Sequence, residues 1–281
     1  MQKLAKDLYV ETGFTGVTVG ALVTTDGIVC IDTPTHPVDA RRWRQKLAQL
    51  SNKPILFIIN LDHHRDRVLG NQWFEAPVIA HESTYERVRL LPELFKNGQA
   101  EVGTDAELAT DLAGVRIVAP QLTFAEKLTL CPGGHEFYLT HHPGSAPGAI
   151  WAEFPKEEVV FVGDTVTNAV PPLLQDSDID KWLEALAQLR RSRYPAKVIV
   201  SGRGAPTDKE GLKPMEEFLK AVRRKAESLV RAKKARAETA AAAESLLDYF
   251  TISSALREHY TRRLRAGMEY LYDMLTLSEP A

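Results

Sequence analysis

The sequence predicts a layered α/β domain over roughly residues 1–210, followed by a helical extension over 211–281. Three observations carry this. Short β-branched and apolar runs bounded by Gly, Pro and Asp alternate with amphipathic stretches, the signature of strands interleaved with helices. Several of these runs, such as Ile55–Ile59 and Val159–Val162, are apolar at every position, as strands are when both sheet faces are covered. After Gly211 the apolar residues recur at helical spacing instead.

Residues 7–33 read as strands joined by tight turns, with Asp26-Gly27 as a hairpin signal because Gly supplies a positive φ. Residues 38–50 read as a helix with Val38, Trp43, Leu47 and Leu50 on one face. Lys53-Pro54 launches the strand 55–60, Pro77 to Ala80 forms another, and a helix follows from Ser83. The stretch 92–113 has no clear periodicity and reads as irregular or helical. Strands return at 115–120, 127–131 and 135–142, with Gly133-Gly134 marking a hairpin. Two more lie on either side of Pro155, a helix capped by Asp178 spans 178–192, and Lys197–Ser201 is a last strand.

In the extension, Met215, Phe218, Leu219, Val222, Ala226, Leu229 and Val230 form one apolar stripe, and Leu256, Tyr260, Leu264, Met268, Leu271 and Leu275 another. The polar face of 213–236 carries nine Lys/Arg against three Glu, the pattern of a solvated amphipathic helix. Stripes of this length must be covered, by the sandwich or by a second copy, so a homodimer is one expectation.

Composition narrows the function. With 35 Lys+Arg against 37 Asp+Glu the net charge is −2, so there is no field for nucleic acid. No run approaches the ~18 apolar residues of a membrane span, and the first residues lack a secretory h-region. Cys30 and Cys131 make neither a disulfide framework nor a metal knuckle, and each is expected as a buried small hydrophobe. A cytoplasmic protein with a small-molecule ligand or substrate is the expectation.

Chemistry concentrates in four segments, each a strand followed by a polar or Gly turn, where such folds carry function. They are Asn60-Leu-Asp-His-His-Arg-Asp-Arg67, Pro143-Gly-Ser-Ala-Pro-Gly148, Val160-Phe-Val-Gly-Asp164 and Ser201-Gly-Arg-Gly204. Taken in order, with the early stretch Asp26-Gly-Ile-Val-Cys-Ile-Asp-Thr-Pro34, they resemble the motifs of the metallo-β-lactamase superfamily over about 10–210. The resemblance implies a four-layer αββα sandwich, two facing sheets with helices outside.

It also implies a ligand set that this chain has altered. Of the usual metal ligands, His64, Asp66 and Asp164 are retained. Asp62, Ser145, Arg67 and Arg203 stand where the family has histidines. By the resemblance one metal would use positions 62, 64 and 145, the other 66, 67 and 203, with 164 bridging. Arginine has no lone pair to give and stays charged, so the second site has lost two ligands. Removing its ion would leave Asp66 and Asp164 as neighbouring buried charges, and two guanidiniums would restore the balance. Arginine in place of metal is therefore the expected arrangement of this degenerate site.

Three functions follow. The first is a descendant of a hydrolase that binds a small anionic ligand through Arg67, Arg203 and Ser145, with Asp66 and Ser145 as the candidate catalytic residues. The second is a mononuclear hydrolase with one zinc-like ion on Asp62, His64 and Asp164 activating water. The third is a non-enzymatic scaffold acting through the C-terminal helices. The expected cofactor is none or a single divalent ion, with no dinuclear zinc centre. An Asp–His–Ser triad lacks support in geometry at this stage. His36, His63, His81, His135, His141, His142 and His259 are expected to be structural or peripheral.

Overall fold

The computed structural model describes residues 1–96, 102–108, 112, 115–168 and 170–278. The first sheet contains β1 (Gln2–Ala5), β2 (Leu8–Phe14), β3 (Val17–Val23), β4 (Ile28–Ile31), β5 (Ile55–Ile59), β6 (Val78–His81) and β7 (Leu122–Phe124), in that spatial order. Pairing is antiparallel from β1 to β4 and parallel from β4 to β7. The parallel steps require crossovers. α1 (Pro37–Leu50) supplies one between β4 and β5, α2 (Arg65–Val68) lies between β5 and β6, and α3 (Glu82–Lys96) follows β6.

The second sheet runs β8 (Lys127–Leu130), β9 (Phe137–His141), β10 (Ile150–Phe154), β11 (Val159–Phe161) and β12 (Val198–Val200). Its one parallel pair, β11 with β12, is bridged by α4 (Ile179–Arg190). α5 (Lys213–Arg231), α6 (Thr239–Leu247) and α7 (Ser254–Ser278) complete the chain.

Alternation along the strands builds the layers. On β4, Val29 and Ile31 face the inter-sheet core with Phe137, Ile150 and Phe161, whereas Ile28 and Cys30 face Trp43 and Leu47 of α1. On β11, Val159 and Phe161 point between the sheets, and Val160 points outward to a core shared with Trp182, Phe218 and Leu264. Both faces of both sheets are thus covered, giving helix, sheet, sheet, helix. This is the four-layer sandwich with a C-terminal helical part that the motifs imply.

The helical stripes are covered within the chain. Met215, Phe218 and Val222 of α5 and Tyr260, Leu264, Met268 and Leu271 of α7 are buried in that outer core, with Leu229 half-buried against it. They call for no second copy. Among the described residues no helix is long and apolar enough to cross a membrane.

Several local expectations are corrected. Residues 115–120 are extended but join no ladder; Ile117 and Ala119 pack on Val88 and Leu91 of α3, and pairing begins only at Leu122. β1 at the chain start was not anticipated. Its exposed Gln2 and Lys3 break the apolar pattern that marks a strand. Val38 is exposed at the first turn of α1, where Ala40 takes its expected place with Trp43 and Leu47. Cys131 is exposed, whereas Cys30 is buried, and burial pushes its thiol up to about 12. Most of 97–113 lies outside the described residues.

Asp178 does cap α4, its Oδ1 accepting from the Lys181 N–H at 3.1 Å. Asp178→Ala is expected to cost about 1 kcal/mol, read as a small drop in the urea midpoint at unchanged slope.

Candidate functional site

The site forms where strand ends from the two sheets meet. β4 ends at Asp32, whose φ of 55° turns the chain sharply after the strand. Its Oδ1 accepts the Leu61 N–H at 3.0 Å, which fixes the loop leaving the neighbouring β5. In that loop Asp62 Oδ1 accepts the His64 N–H at 2.9 Å, and the chain then enters α2 with Asp66 and Arg67. From the second sheet, parallel β11 and β12 deliver Asp164 and Arg203 side by side, with the Gly202 N–H bonded to Gly163 O at 2.7 Å. A Cβ on Gly202 would sit 2.5 Å from Asp164 Oδ1, so only glycine allows this approach.

Both arginines turn inward. Arg67, fully buried, donates from Nη1 to Asp32 Oδ2 at 2.6 Å and from Nη2 to Asp164 Oδ1. Its Nε lies 2.7 Å from Asp62 Oδ1, a charge contact rather than an aligned hydrogen bond. Arg203 is 2% exposed and forks onto Asp164, from Nε at 3.2 Å and Nη2 at 3.0 Å, while Nη1 reaches Asp66 Oδ2 at 2.7 Å. Arg67 and Arg203, 136 positions apart in sequence, close onto one carboxylate.

Sequence reasoning missed a second tier. Arg203 Nη1 also donates to Asp105 Oδ2 at 2.6 Å, and Asp105 Oδ1 lies 2.9 Å from Nη2 of Arg263 on α7 and 3.5 Å from Nε2 of His259. The Asp105 and Ala106 N–H groups donate to Asp66 at 3.1 and 2.6 Å. Arg263 is locked by Gly103 O at 2.5 Å and Pro171 O at 2.9 Å. A signal existed: Arg263 falls within the apolar stripe of α7, between Tyr260 and Leu264.

Five carboxylates (Asp32, Asp62, Asp66, Asp105, Asp164) thus meet three guanidiniums (Arg67, Arg203, Arg263), all buried, a formal excess of two negative charges with neutral histidines. Burial alone would raise every carboxyl, and the neighbours decide the outcome. For Asp62 the charge of Arg67 and the contact with His64 outweigh burial and bring it down to about 2. For Asp164, Arg203 and Arg67 outweigh burial and hold it well below the usual range. Asp32 is different: burial prevails over Arg67 and pushes it up to about 6.

The second metal position does not fit an ion. Both Asp66 oxygens are engaged by backbone N–H groups and Arg203, and guanidiniums fill the other two ligand positions. A divalent ion there would face repulsion of roughly 4 kcal/mol per unit charge pair at 4 Å and an effective dielectric near 20. The first position is chemically different. Donor atoms of Asp62, His64 and Asp164 lie within 4.8 Å of one another, with His64 Nδ1 3.2 Å from Asp62 and 3.1 Å from Asp164. Asp62 Oδ2 and Ser145 Oγ are both buried and have no hydrogen-bond partner among the described residues. That donor set and the orphaned Asp62 Oδ2 fit one divalent ion, which would share Asp62 with Arg67 and Asp164 with both arginines.

Ser145 makes no hydrogen bond to His64, so the structure shows no Asp–His–Ser relay. Of the other histidines, His259 joins the second tier, contrary to its expected structural role, and His63 lies beside His64 but faces Asp176 at 3.7 Å; His141 stacks on His81, and His142 on Trp151.

The family model of the metallo-beta-lactamase superfamily matches residues 12–203, and the chain belongs to that superfamily. A metallo-beta-lactamase family protein of Thermus thermophilus shares the fold at 19% identity, with TM-score 0.66, over 97% of this chain and 95% of that one. The metallo-beta-lactamase of Pontibacter korlensis does so at 19% identity and TM-score 0.60, over 78% of this chain and 97% of that one. The inverting sec-alkylsulfatase Pisa1 of Pseudomonas sp. matches at 17% identity and TM-score 0.67, over 97% of this chain but only 49% of its own length. At such identities the likeness is one of fold. Two of the three matches extend through the C-terminal helices.

Proposed function

We propose that this chain has given up two-metal hydrolysis, with Arg67 and Arg203 replacing the second ion, and that it takes a small anionic molecule at the Arg203 end of the old cleft. The observation that carries this is the paired contact of Arg203 with Asp66 and of Arg67 with Asp164, across the position where an ion would bridge those carboxylates. Arg67 is surrounded by Asp32, Asp62 and Asp164 and has no direction left for a ligand. Arg203 differs, because its outermost partner, Asp105, comes from a connecting segment outside both sheets. Asp66, held by three donors, anchors that segment rather than activating water.

A second reading is favoured by the orphaned Asp62 Oδ2 and the two-charge excess: a single ion on Asp62, His64 and Asp164. When bound, such an ion would supply Lewis acidity and an activated water. The chain's own residues would hold it and keep bulk solvent out.

Elemental analysis of protein dialysed against zinc-containing and then metal-free buffer tests both. At most one equivalent per chain is expected, with no turnover of phosphodiester, ester or β-lactam test substrates above the buffer rate. Two retained zinc equivalents would overturn the arginine-for-metal reading. One equivalent that His64→Ala abolishes, together with turnover, would favour the single-ion hydrolase.

A further inference from the structure

We infer that Arg203, Arg263 and His259 form an anion-binding site, occupied in this structure by the chain's own Asp105 carboxylate, and that a small carboxylate or phosphate takes it when residues 102–108 move aside. This rests on the anionic-ligand reading above and names the subsite.

The Asp105 carboxylate bridges the two guanidiniums, through an aligned hydrogen bond from Arg203 and a charge contact with Arg263. One carboxylate oxygen lies 2.6 Å from Arg203 Nη1, the other 2.9 Å from Arg263 Nη2 and 3.5 Å from His259 Nε2. The cationic groups come from two separate elements, the turn after β12 and the buried face of α7. Each is set in place without help from Asp105. Arg203 is forked onto Asp164, and Arg263 is tied to the Pro171 carbonyl, outside the segment that moves; its bond to Gly103 O leaves with that segment. Such a preorganised pair of guanidiniums matches carboxylate or phosphate oxygens.

The site also demands an anion. Arg263 is fully buried, and Asp105 is the one carboxylate in contact with it among the described residues. Withdrawing that carboxylate without replacement strands a buried charge, which is costly. Burial raises the Asp105 carboxyl, but Arg263, His259 and Arg203 more than offset it and hold it below the usual range, so the site favours the ionised form. The occupant arrives on a short 3-10 turn, Asp105–Leu108, that belongs to neither sheet. Beside it, Thr104 Oγ1 is buried with no hydrogen-bond partner among the described residues.

The experiment is chemical rescue. Asp105→Ala is expected to lower the melting temperature. Acetate and inorganic phosphate, compared with chloride at matched ionic strength, should restore part of the loss in a saturable manner. The Leu47→Ala variant, weakened in the core between α1 and the first sheet, should gain nothing beyond chloride. Equal responses of the two variants would overturn the inference. If Asp105→Ala does not fold, Asp105→Asn takes its place. As an independent measurement, hydrogen exchange of amides 102–108 in the unaltered protein should quicken in phosphate but not in chloride, and unchanged exchange counts against the site. Zinc content is a separate readout. Rescue with two bound zinc ions would sink the arginine-for-metal reading alone, and no rescue in a zinc-free protein would sink the Asp105 site alone.

Discussion

Arg67→Ala is expected to destabilise the protein by about 3–5 kcal/mol, the cost of removing one partner from a buried ion pair. Its side chain neutralises Asp32, Asp62 and Asp164 together, and none of these three carboxylates has access to water. Arg67→Lys should recover little, because an ammonium is a single point of charge and cannot span three carboxylates. Urea unfolding measures both. The double variant Arg67→Ala/Asp164→Asn should lose clearly less than the two single losses added together, since the residues are in contact and their energies couple. A neutral Arg67→Ala would mean that the guanidinium is dispensable and that the metal replacement it stands for is wrong.

The second large effect is in pH. Asp62, Asp164 and Asp105 have folded-state values below their unfolded ones, so their contribution is present above pH ~4 and is lost as pH falls through their folded values, which for Asp62 is about 2. Asp32 has the opposite sign. Its folded value is raised to about 6, so its contribution is full below its unfolded value near 4 and disappears as pH rises through 6. The cluster should therefore be most stable at about pH 4, lose roughly 3 kcal/mol towards pH 7 through Asp32, and lose stability again in stronger acid. Asp32→Asn isolates the first limb. The stability difference between wild type and variant should change by that amount between pH 4 and 7. A difference flat with pH would show that Arg67 keeps Asp32 ionised at ordinary cost.

Much of this site was readable in the chain itself, because the order and spacing of four strand-end motifs carry the resemblance. Arg67 and Arg203 stand where that resemblance expects two histidines of one ion, and charge balance pointed them at the nearby carboxylates. The layering was readable too, since strands such as β4 are apolar on both faces. Asp105 was not, because its stretch has no periodicity and gains its meaning from Arg263 and Arg203, distant in sequence. Arg263 hid on a helix whose polar and apolar positions were sorted by composition, whereas burial of an arginine depends on a partner. Val115–Pro120 shows the converse. A run with strand propensity joins no ladder there and packs Ile117 and Ala119 on α3 instead.

The outer face of the second sheet has a consequence for how the protein is made. Trp151, Val160 and Ile199 share one core with α5, α6 and α7, which leave the ribosome after both sheets. Domains tend to fold from the N-terminus as they emerge. Here the nascent sandwich would wait with that face bare and Asp105 without Arg263 until α7 is out. A chain stalled before α5 would present a broad aromatic surface, a natural substrate for chaperones and for quality-control proteases. Emergence of α7 closes that surface and supplies Arg263 to the ion-pair core in the same step.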